Sequence, residues 1–169
     1  MNWFVLVGFM GAGKSILGQE LADKMNIDFV DTDYAIEDQH GMSILSLFDQ
    51  FGEKYFREIE ANFIRSLNPN TPLVLAVGGG LPLFHDNMDF LNQHGYTIYL
   101  KHDADTLFDR LVDDKSKRPL LADLSSSELF SFIQNNLSVR SPFYERSKLI
   151  LASDQQQVST IIQLLQEKS

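Results

Sequence analysis

A glycine-rich segment between two apolar stretches constrains the fold of this chain more than any other feature. Residues 8–15 are Gly-Phe-Met-Gly-Ala-Gly-Lys-Ser, so four residues separate the first glycine from a Gly-Lys-Ser triplet. The apolar run Trp3–Val7 before this segment predicts a buried strand, and apolar residues at four-residue spacing predict a helix from Ser15 to Met25. Strand, glycine loop and helix in this order are typical of a loop that binds a polyphosphate.

The residue types in this loop suit a phosphate ligand. Gly8, Gly11 and Gly13 can adopt backbone conformations in which successive N–H groups point at one anion. In the same pattern Lys14 reaches the β- and γ-phosphates, and the Ser15 hydroxyl binds Mg²⁺. The structural alternative is a flexible glycine turn that happens to precede a lysine.

Length, composition and charge limit the classes of function. The 169 residues, 44% of them hydrophobic, suffice for one domain with a substantial core, and the lack of cysteine excludes disulfides and thiolate metal sites. A net charge of −9 argues against nucleic acid or an anionic membrane as a partner, because both attract a basic surface. Uncharged runs are short, so we expect no signal peptide or membrane span, and a soluble, cytoplasmic protein. A monomer is expected as well.

Two carboxylates follow the second predicted strand. Ile27 to Val30 predicts this strand, and Asp31 and Asp33 come directly after it, on the same side if the segment stays extended. Ligands of parallel sheets meet the carboxyl ends of the strands, so both carboxylates should lie beside the glycine loop. One could serve Mg²⁺ through a water, and the other could orient or deprotonate a hydroxyl nucleophile. The alternative is a solvated turn or a helix N-cap.

Two amphipathic helices are predicted between Ser43 and Leu67, with Gly52 between them. They form an insertion ahead of the third predicted strand, at residues 73–77. Within the second helix Arg57 and Glu60 are three residues apart on one face, so the carboxylate can hold the guanidinium in place. An arginine held in this way offers a planar fork to a substrate carboxylate. A surface salt bridge is the alternative.

Three glycines and three arginines complete the candidates. Gly78, Gly79 and Gly80 follow the third strand and allow a ligand to approach the backbone closely, unless they only form a tight bend. Each arginine has two interpretations. Arg110 could stack on a purine or be solvated at the surface of its helix, and Arg118 could belong to a closing lid or to an exposed loop. Arg140 could be part of an anion clamp or could compensate a helix dipole. The histidines show no metal-ligand spacing and are expected at the surface, namely His40, His85, His94 and His102.

Strands and helices alternate along the whole chain without internal repeats. Two further strands are predicted at residues 96–100 and 149–151, and each is followed by a helical pattern. The box Ser125 to Glu128 predicts the start of another helix, and Asp154 is predicted to cap the last one. This alternation predicts a three-layer α/β domain with a mainly parallel sheet.

Collected in order, these residues resemble the shikimate kinase family, ATP-dependent small-molecule kinases with the nucleoside-monophosphate-kinase-like phosphate-loop (P-loop) fold. The resemblance covers residues 4 to about 152 and consists of six motifs: the loop 8–15, Asp31-Thr32-Asp33, Phe56-Arg57 with Glu60, Gly78-Gly79-Gly80, Arg118-Pro119-Leu120-Leu121, and Arg140 with Pro142 and Tyr144.

The resemblance implies an architecture and a reaction. The architecture is a single domain over residues 1–169 with a five-stranded parallel sheet in the order 2-3-1-4-5. It includes a helical substrate-binding insertion at about 33–67 and a lid at about 113–124. The reaction is transfer of the γ-phosphoryl group of ATP, with Mg²⁺, to the 3-hydroxyl of shikimate, as part of aromatic amino-acid biosynthesis.

The resemblance also implies a role for each candidate residue. The implied catalytic residues are Asp33, which acts as the base, and Lys14 and Arg118, which bind the phosphates. The implied Mg²⁺ ligands are Ser15 and Asp31. The implied nucleotide contacts are Gly11, Ala12, Gly13, Lys14, Ser15, Ile16, Arg110 and Arg118. The implied shikimate contacts are Asp33, Arg57, Gly78, Gly79, Gly80 and Arg140.

Two departures from the family pattern concern the nucleotide. Ile16 stands where the family usually has a second hydroxyl residue, and Ser153-Asp154-Gln155 lacks the family's late arginine near the adenine. We therefore expect weaker ATP binding, by about one hydrogen bond, and looser purine selectivity. Two alternative functions remain open at this point, which are a kinase for another small polyol or acid such as gluconate, and a nucleotide-binding regulator without catalysis.

Overall fold

The computed structural model describes residues 2–113 and 121–167 and contains a five-stranded parallel sheet. The strands are β1 (Trp3–Val7), β2 (Asp28–Asp31), β3 (Leu73–Ala76), β4 (Gly95–Leu100) and β5 (Leu149–Leu151). The helices are α1 (Lys14–Met25), α2 (Thr32–His40), α3 (Ile44–Ser66), α4 (Asn87–His94), α5 (Ala104–Val112), α6 (Ser126–Tyr144) and α7 (Val158–Glu167). The strand order is β2-β3-β1-β4-β5, so the predicted three-layer α/β fold and its sheet order are confirmed.

The sheet register brings the carboxyl ends of three strands to one edge. The central strand β1 is almost fully buried, as its apolar sequence predicts. Leu6 of β1 pairs with Ala76 of β3, and Ala76 pairs in turn with Asp31 of β2. The glycine loop after β1, Asp31 at the end of β2 and the glycine triplet after β3 therefore emerge side by side.

The helices α2 and α3 lie between β2 and β3 and pack on one another. α3 is interrupted at Gly52, whose φ of 81° and ψ of 167° are not helical, so the prediction of two helices around this glycine is confirmed. Their contact has its own small apolar cluster, in which Ile36, Leu47 and Phe56 are buried. This insertion carries Arg57 on its second helical part.

Two expectations at the ends of helices are corrected and one is confirmed. α6 continues through Pro142 to Tyr144, so Arg140 lies inside the helix and not near its end. Asp154 lies in a short 3₁₀ turn (Ser153–Gln155) and does not cap α7, because the chain makes this extra turn first. The capping box of Ser125 and Glu128 forms as predicted. Within the described ranges no helix is long and apolar enough to cross a membrane.

Candidate active site

The glycine loop positions the first group of the site. Gly11 and Gly13 have φ values of 78° and 92°, which L-residues other than glycine rarely adopt. A side chain on Gly11 would also meet Leu111 Cδ2 at 2.9 Å. Lys14 begins α1, and its Nζ donates hydrogen bonds of 2.9 Å to the carbonyl oxygens of Gly8 and Phe9. The ammonium group therefore lies within the loop itself.

Two oxygen-bearing side chains meet beside the loop. Ser15 Oγ donates a hydrogen bond of 2.5 Å to Asp31 Oδ2, and Asp31 Oδ1 accepts from the Asp33 N–H at 3.0 Å. A hydroxyl and a carboxylate suit Mg²⁺, which binds through one or two protein oxygens together with waters and substrate phosphates. Among the described residues no cluster of three or more histidine or acidic side chains could hold a metal ion.

Asp33 lies in a different conformation from the one predicted. Asp31 ends β2 and caps α2, so Asp33 belongs to the first helical turn and the expected extended alternation is wrong. Asp33 keeps contact with solvent, but the surrounding protein displaces much of the water around its carboxyl group. This burial, reinforced by Asp31, raises the pKa of Asp33 to about 6, while Lys14 and Arg57 act in the opposite direction.

The glycine triplet brings three charged side chains to one backbone segment. A Cβ atom at Gly78 would lie 2.6 Å from Asp33 Oδ1, and a Cβ atom at Gly80 would lie 2.7 Å from Arg57 Nη1. At Gly79 it would lie 3.3 Å from Arg140 Nη1 and 3.4 Å from the Gly8 carbonyl of the phosphate loop. A side chain at Gly78 or Gly80 would therefore displace the Asp33 carboxylate or the Arg57 guanidinium. The glycines permit these charged side chains to approach the backbone closely, whereas the prediction concerned a ligand.

Arg57 is held from several directions. Its Nη1 donates to Glu60 Oε2 at 2.7 Å and its Nη2 donates to Glu53 Oε1 at 3.0 Å, while its guanidinium lies 4.5 Å from the centre of the Phe84 ring. The Arg57 and Glu60 side chains are 12% and 2% exposed, so their pair is not the surface salt bridge considered as an alternative. Burial raises the pKa of Glu60 to about 7, and Arg57 opposes this shift.

Arg140 faces Arg57 from helix α6. Its Nη2 donates to Asn136 Oδ1 at 3.2 Å, and its guanidinium lies 5.2 Å from the centre of the Phe9 ring. The two arginines line one cavity of about 320 Å³, whose other lining residues are Glu53, Gly80, Leu83, Phe84, Asn135, Asn136 and Val139. Two fixed guanidinium groups in one cavity form a suitable site for a small carboxylic acid.

A second cavity, of about 190 Å³, lies on the other side of the glycine loop. It is lined by Ala12, Gly13, Ile16, Leu17, Glu20, Arg110, Ser153 and Gln156. Arg110 Nη1 donates hydrogen bonds of 3.3 Å to the Gly11 and Ala12 carbonyls. Next to it His102 is only 4% exposed, so the expectation that all histidines lie at the surface is wrong for this residue.

The described site residues fall into two groups. Arg57 and Arg140 line the cavity beside the glycine triplet, whereas Ile16 and Arg110 line the cavity on the other side of the loop. Arg118 and most of the predicted lid lie outside the described residues.

Sequence reasoning missed Glu53, Phe84, Asn136 and His102. The spacing of four residues from Glu53 to Arg57 could have revealed the first. Asn136 is likewise four residues before its partner Arg140 on one helix, so the same spacing could have revealed it. Phe84 and His102 contact the site only through the folded chain and carry no sequence signal of their own.

Comparisons with known proteins agree with this geometry. The family model for shikimate kinase matches residues 10–168. A shikimate kinase of Bacteroides thetaiotaomicron is 39% identical over 166 residues, which cover 96% of this chain and 95% of the relative. A crystal structure of shikimate kinase from this organism superposes with a TM-score of 0.90 at 38% identity, covering 98% of this chain and 97% of that one.

A second solved structure, shikimate kinase from Acinetobacter baumannii in complex with shikimate, superposes with a TM-score of 0.88 at 31% identity. It covers 100% of this chain and 95% of that chain. The family model, the relatives and these structures thus match almost the whole chain. The chain belongs to the shikimate kinase family, the ATP-dependent kinases that phosphorylate shikimate.

Proposed function

We propose that this chain transfers the γ-phosphoryl group of ATP to the 3-hydroxyl of shikimate at the carboxyl edge of its sheet. One observation carries this proposal. Asp33, Arg140 and Arg57 contact three consecutive glycines, Gly78 to Gly80, so a base and two guanidinium groups surround one backbone segment. The phosphate-loop carbonyl of Gly8 lies against the middle glycine. An acceptor bound to these groups would therefore lie beside the nucleotide phosphates.

The nucleotide would bind to the glycine loop through its backbone N–H groups, with the contacts predicted for Gly11, Ala12, Gly13, Ser15 and Ile16. Lys14 would leave the carbonyls that it now contacts and bind the phosphates. The Ser15 and Asp31 pair would hold Mg²⁺, which neutralises phosphate charge when it is bound. Arg110 would lie against the purine. Arg118, in the lid at about 113–124, would bind the phosphates when the lid closes.

The acceptor would bind through its carboxylate to Arg57 and Arg140. Asp33 would accept a hydrogen bond from the reacting hydroxyl and take its proton as the bond to phosphorus forms. A pKa of about 6 leaves this carboxyl group ionised at neutral pH and still basic enough to receive a proton. The transition state of phosphoryl transfer is loose, so alignment of the two substrates contributes more than the strength of the base.

We expect the functional unit to be a monomer. A cytoplasmic location would give the enzyme access to ATP.

A coupled assay of ADP release tests the proposal. We expect ADP release with shikimate, and a much lower rate with gluconate or without an acceptor. Preference for gluconate would favour the alternative polyol kinase, and ATP binding without release on any acceptor would favour the regulator. Dehydroshikimate, which has a carbonyl in place of the 3-hydroxyl, is the matched control. It should bind competitively with shikimate and support no ADP release.

A further inference from the structure

A buried histidine for which the reaction proposed above has no role lies behind two residues, Arg110 and Ser153, that line the cavity next to the glycine loop. His102 follows β4 and is 4% exposed. Its Nε2 lies 3.2 Å from the Ala12 carbonyl oxygen and 3.2 Å from Arg110 Nη1. Its Nδ1 lies 2.8 Å from Ser153 Oγ. One ring thus joins the phosphate loop, helix α5 and the turn after β5.

A neutral imidazole can bind Arg110 in one of its two tautomers. With the proton on Nε2, the ring donates to the Ala12 carbonyl and accepts from the Ser153 hydroxyl, but its N–H then faces the Arg110 donor and cannot accept from it. With the proton on Nδ1, the ring donates to Ser153 and accepts from Arg110, since a guanidinium can only donate. Burial, and secondarily the charge of Arg110, lowers the pKa of His102 and so favours the neutral ring.

The contact between His102 and Arg110 matters because Arg110 is the one positively charged residue among the described residues that line this cavity. Its guanidinium is therefore the positively charged group that can face a base bound in this cavity. Arg110 belongs to an exposed position on α5, and a free arginine would lose much rotamer freedom on ordering against a ligand. His102 and the two loop carbonyls of Gly11 and Ala12 hold its Nη1 in advance.

We propose that His102 is a positioning residue for the nucleotide base. It fixes the guanidinium of Arg110 so that the guanidinium plane can stack on a purine in this cavity. The inference rests on the proposed binding of ATP to the glycine loop. Within that function it assigns part of the affinity for the base to the contacts of His102 with Arg110 and Ser153.

The test compares His102→Leu with His102→Gln and with a matched control, His94→Leu. His94 also has a ring nitrogen 2.8 Å from a backbone carbonyl, that of Phe90, but it lies on α4 beside Trp3. Titration calorimetry gives the Kd of ATP and of inorganic tripolyphosphate, which has no base. Steady-state kinetics give the KM of ATP and of shikimate.

We expect His102→Leu to weaken ATP binding by about tenfold, the effect of one or two hydrogen bonds, and to leave tripolyphosphate and the shikimate KM unchanged. His102→Gln should recover part of the loss, because its amide oxygen can accept a hydrogen bond from Arg110. His94→Leu should lower Tm and leave ATP binding unchanged. An unchanged Kd of ATP in His102→Leu, or an equal loss for tripolyphosphate, would overturn the proposal.

Ser153→Ala keeps the test decisive if His102→Leu does not fold. Ser153 is exposed, so the variant should fold normally and bind ATP about threefold more weakly. An unchanged ATP affinity in Ser153→Ala would again contradict the assignment. Failure of the wild-type protein to use shikimate would refute the proposed reaction but not this inference, because the comparison of ATP with tripolyphosphate needs no acceptor.

Discussion

The two halves of the proposed active site, one for the nucleotide and one for the acceptor, are built from different parts of the chain. The nucleotide half consists mainly of backbone, because the loop of Gly8–Ser15 presents N–H groups and glycine conformations with positive φ. The acceptor half consists of charged side chains, Asp33, Arg57 and Arg140, pressed against glycines that leave space for them. Phosphate recognition is therefore local in sequence, whereas acceptor recognition depends on three segments that meet only in the fold.

The energetics of the two halves differ accordingly. Folding the glycine loop costs little free energy beyond that of its backbone conformation, which glycine tolerates. In the acceptor half Arg57 and Glu60 lose most of their hydration, and their pairing offsets this penalty only while both are present. The acceptor half should therefore be the more sensitive to conservative substitutions, and the following variants test that comparison.

The largest effect is expected from Asp33→Asn, which removes the proton acceptor and keeps the shape of the side chain. We expect kcat to fall by about two to four decades with little change in the Kd of ATP. The control is Asp38→Asn, the same substitution at an exposed position of α2. Equal turnover in Asp33→Asn and wild type would exclude this residue as the base.

The next effect is expected from Gly80→Ala. The new Cβ atom would lie 2.7 Å from Arg57 Nη1, so the guanidinium must move and the shikimate KM should rise by about one to two decades. Gly41→Ala is the control, because Gly41 has a φ of 64° with no atom within 4 Å of the added Cβ. It should lower Tm without changing either KM, and a normal shikimate KM in Gly80→Ala would separate Arg57 from substrate binding.

Arg57→Lys should have a smaller effect of the same kind. Lysine keeps the charge but cannot contact a carboxylate with a planar fork, so we expect the shikimate KM to rise by about tenfold with the ATP KM unchanged. The matched control is Arg65→Lys on the same helix, where the arginine binds Asn87 and the His85 carbonyl. A change confined to the ATP KM would assign Arg57 to the nucleotide half.

The smallest effects concern pH. Because the pKa of Asp33 is raised to about 6, kcat should fall as the pH drops through this value, and the Asp33→Asn variant should lack this decline. Stability should change in the opposite direction. A carboxyl group with a pKa raised above its unfolded value of 3.8 destabilises the fold when ionised, so stability falls as the pH rises from about 4 to about 6.

Thermal unfolding checks this last point. Asp33→Asn should therefore unfold at a higher Tm than the wild type at pH 8, and the difference should vanish near pH 4. A lower Tm of the variant at pH 8 would contradict the raised pKa. A stabilised but inactive variant would show that this carboxylate is retained for catalysis at a cost in stability.

Prediction from sequence succeeded where a property is local. The phosphate loop, the break at Gly52 and the pairing of Arg57 with Glu60 each depend on residues a few positions apart, and the structure contains all three. Prediction failed for Asp33, placed on an extended segment, because the cap formed by Asp31 starts the helix earlier. It failed for His102 because its partners Ala12 and Ser153 are 90 and 51 residues away.

The sequence alone therefore determined the family pattern, the parallel sheet and the identity of the phosphate-binding loop. These features follow from glycine conformations and apolar periodicity, which act within short segments. Only the tertiary structure decided that Glu60 is buried beside Arg57, that Phe84 covers that guanidinium and that His102 joins the loop to Arg110. Such contacts depend on how strands and helices pack, and burial then sets the charge state of the groups that meet.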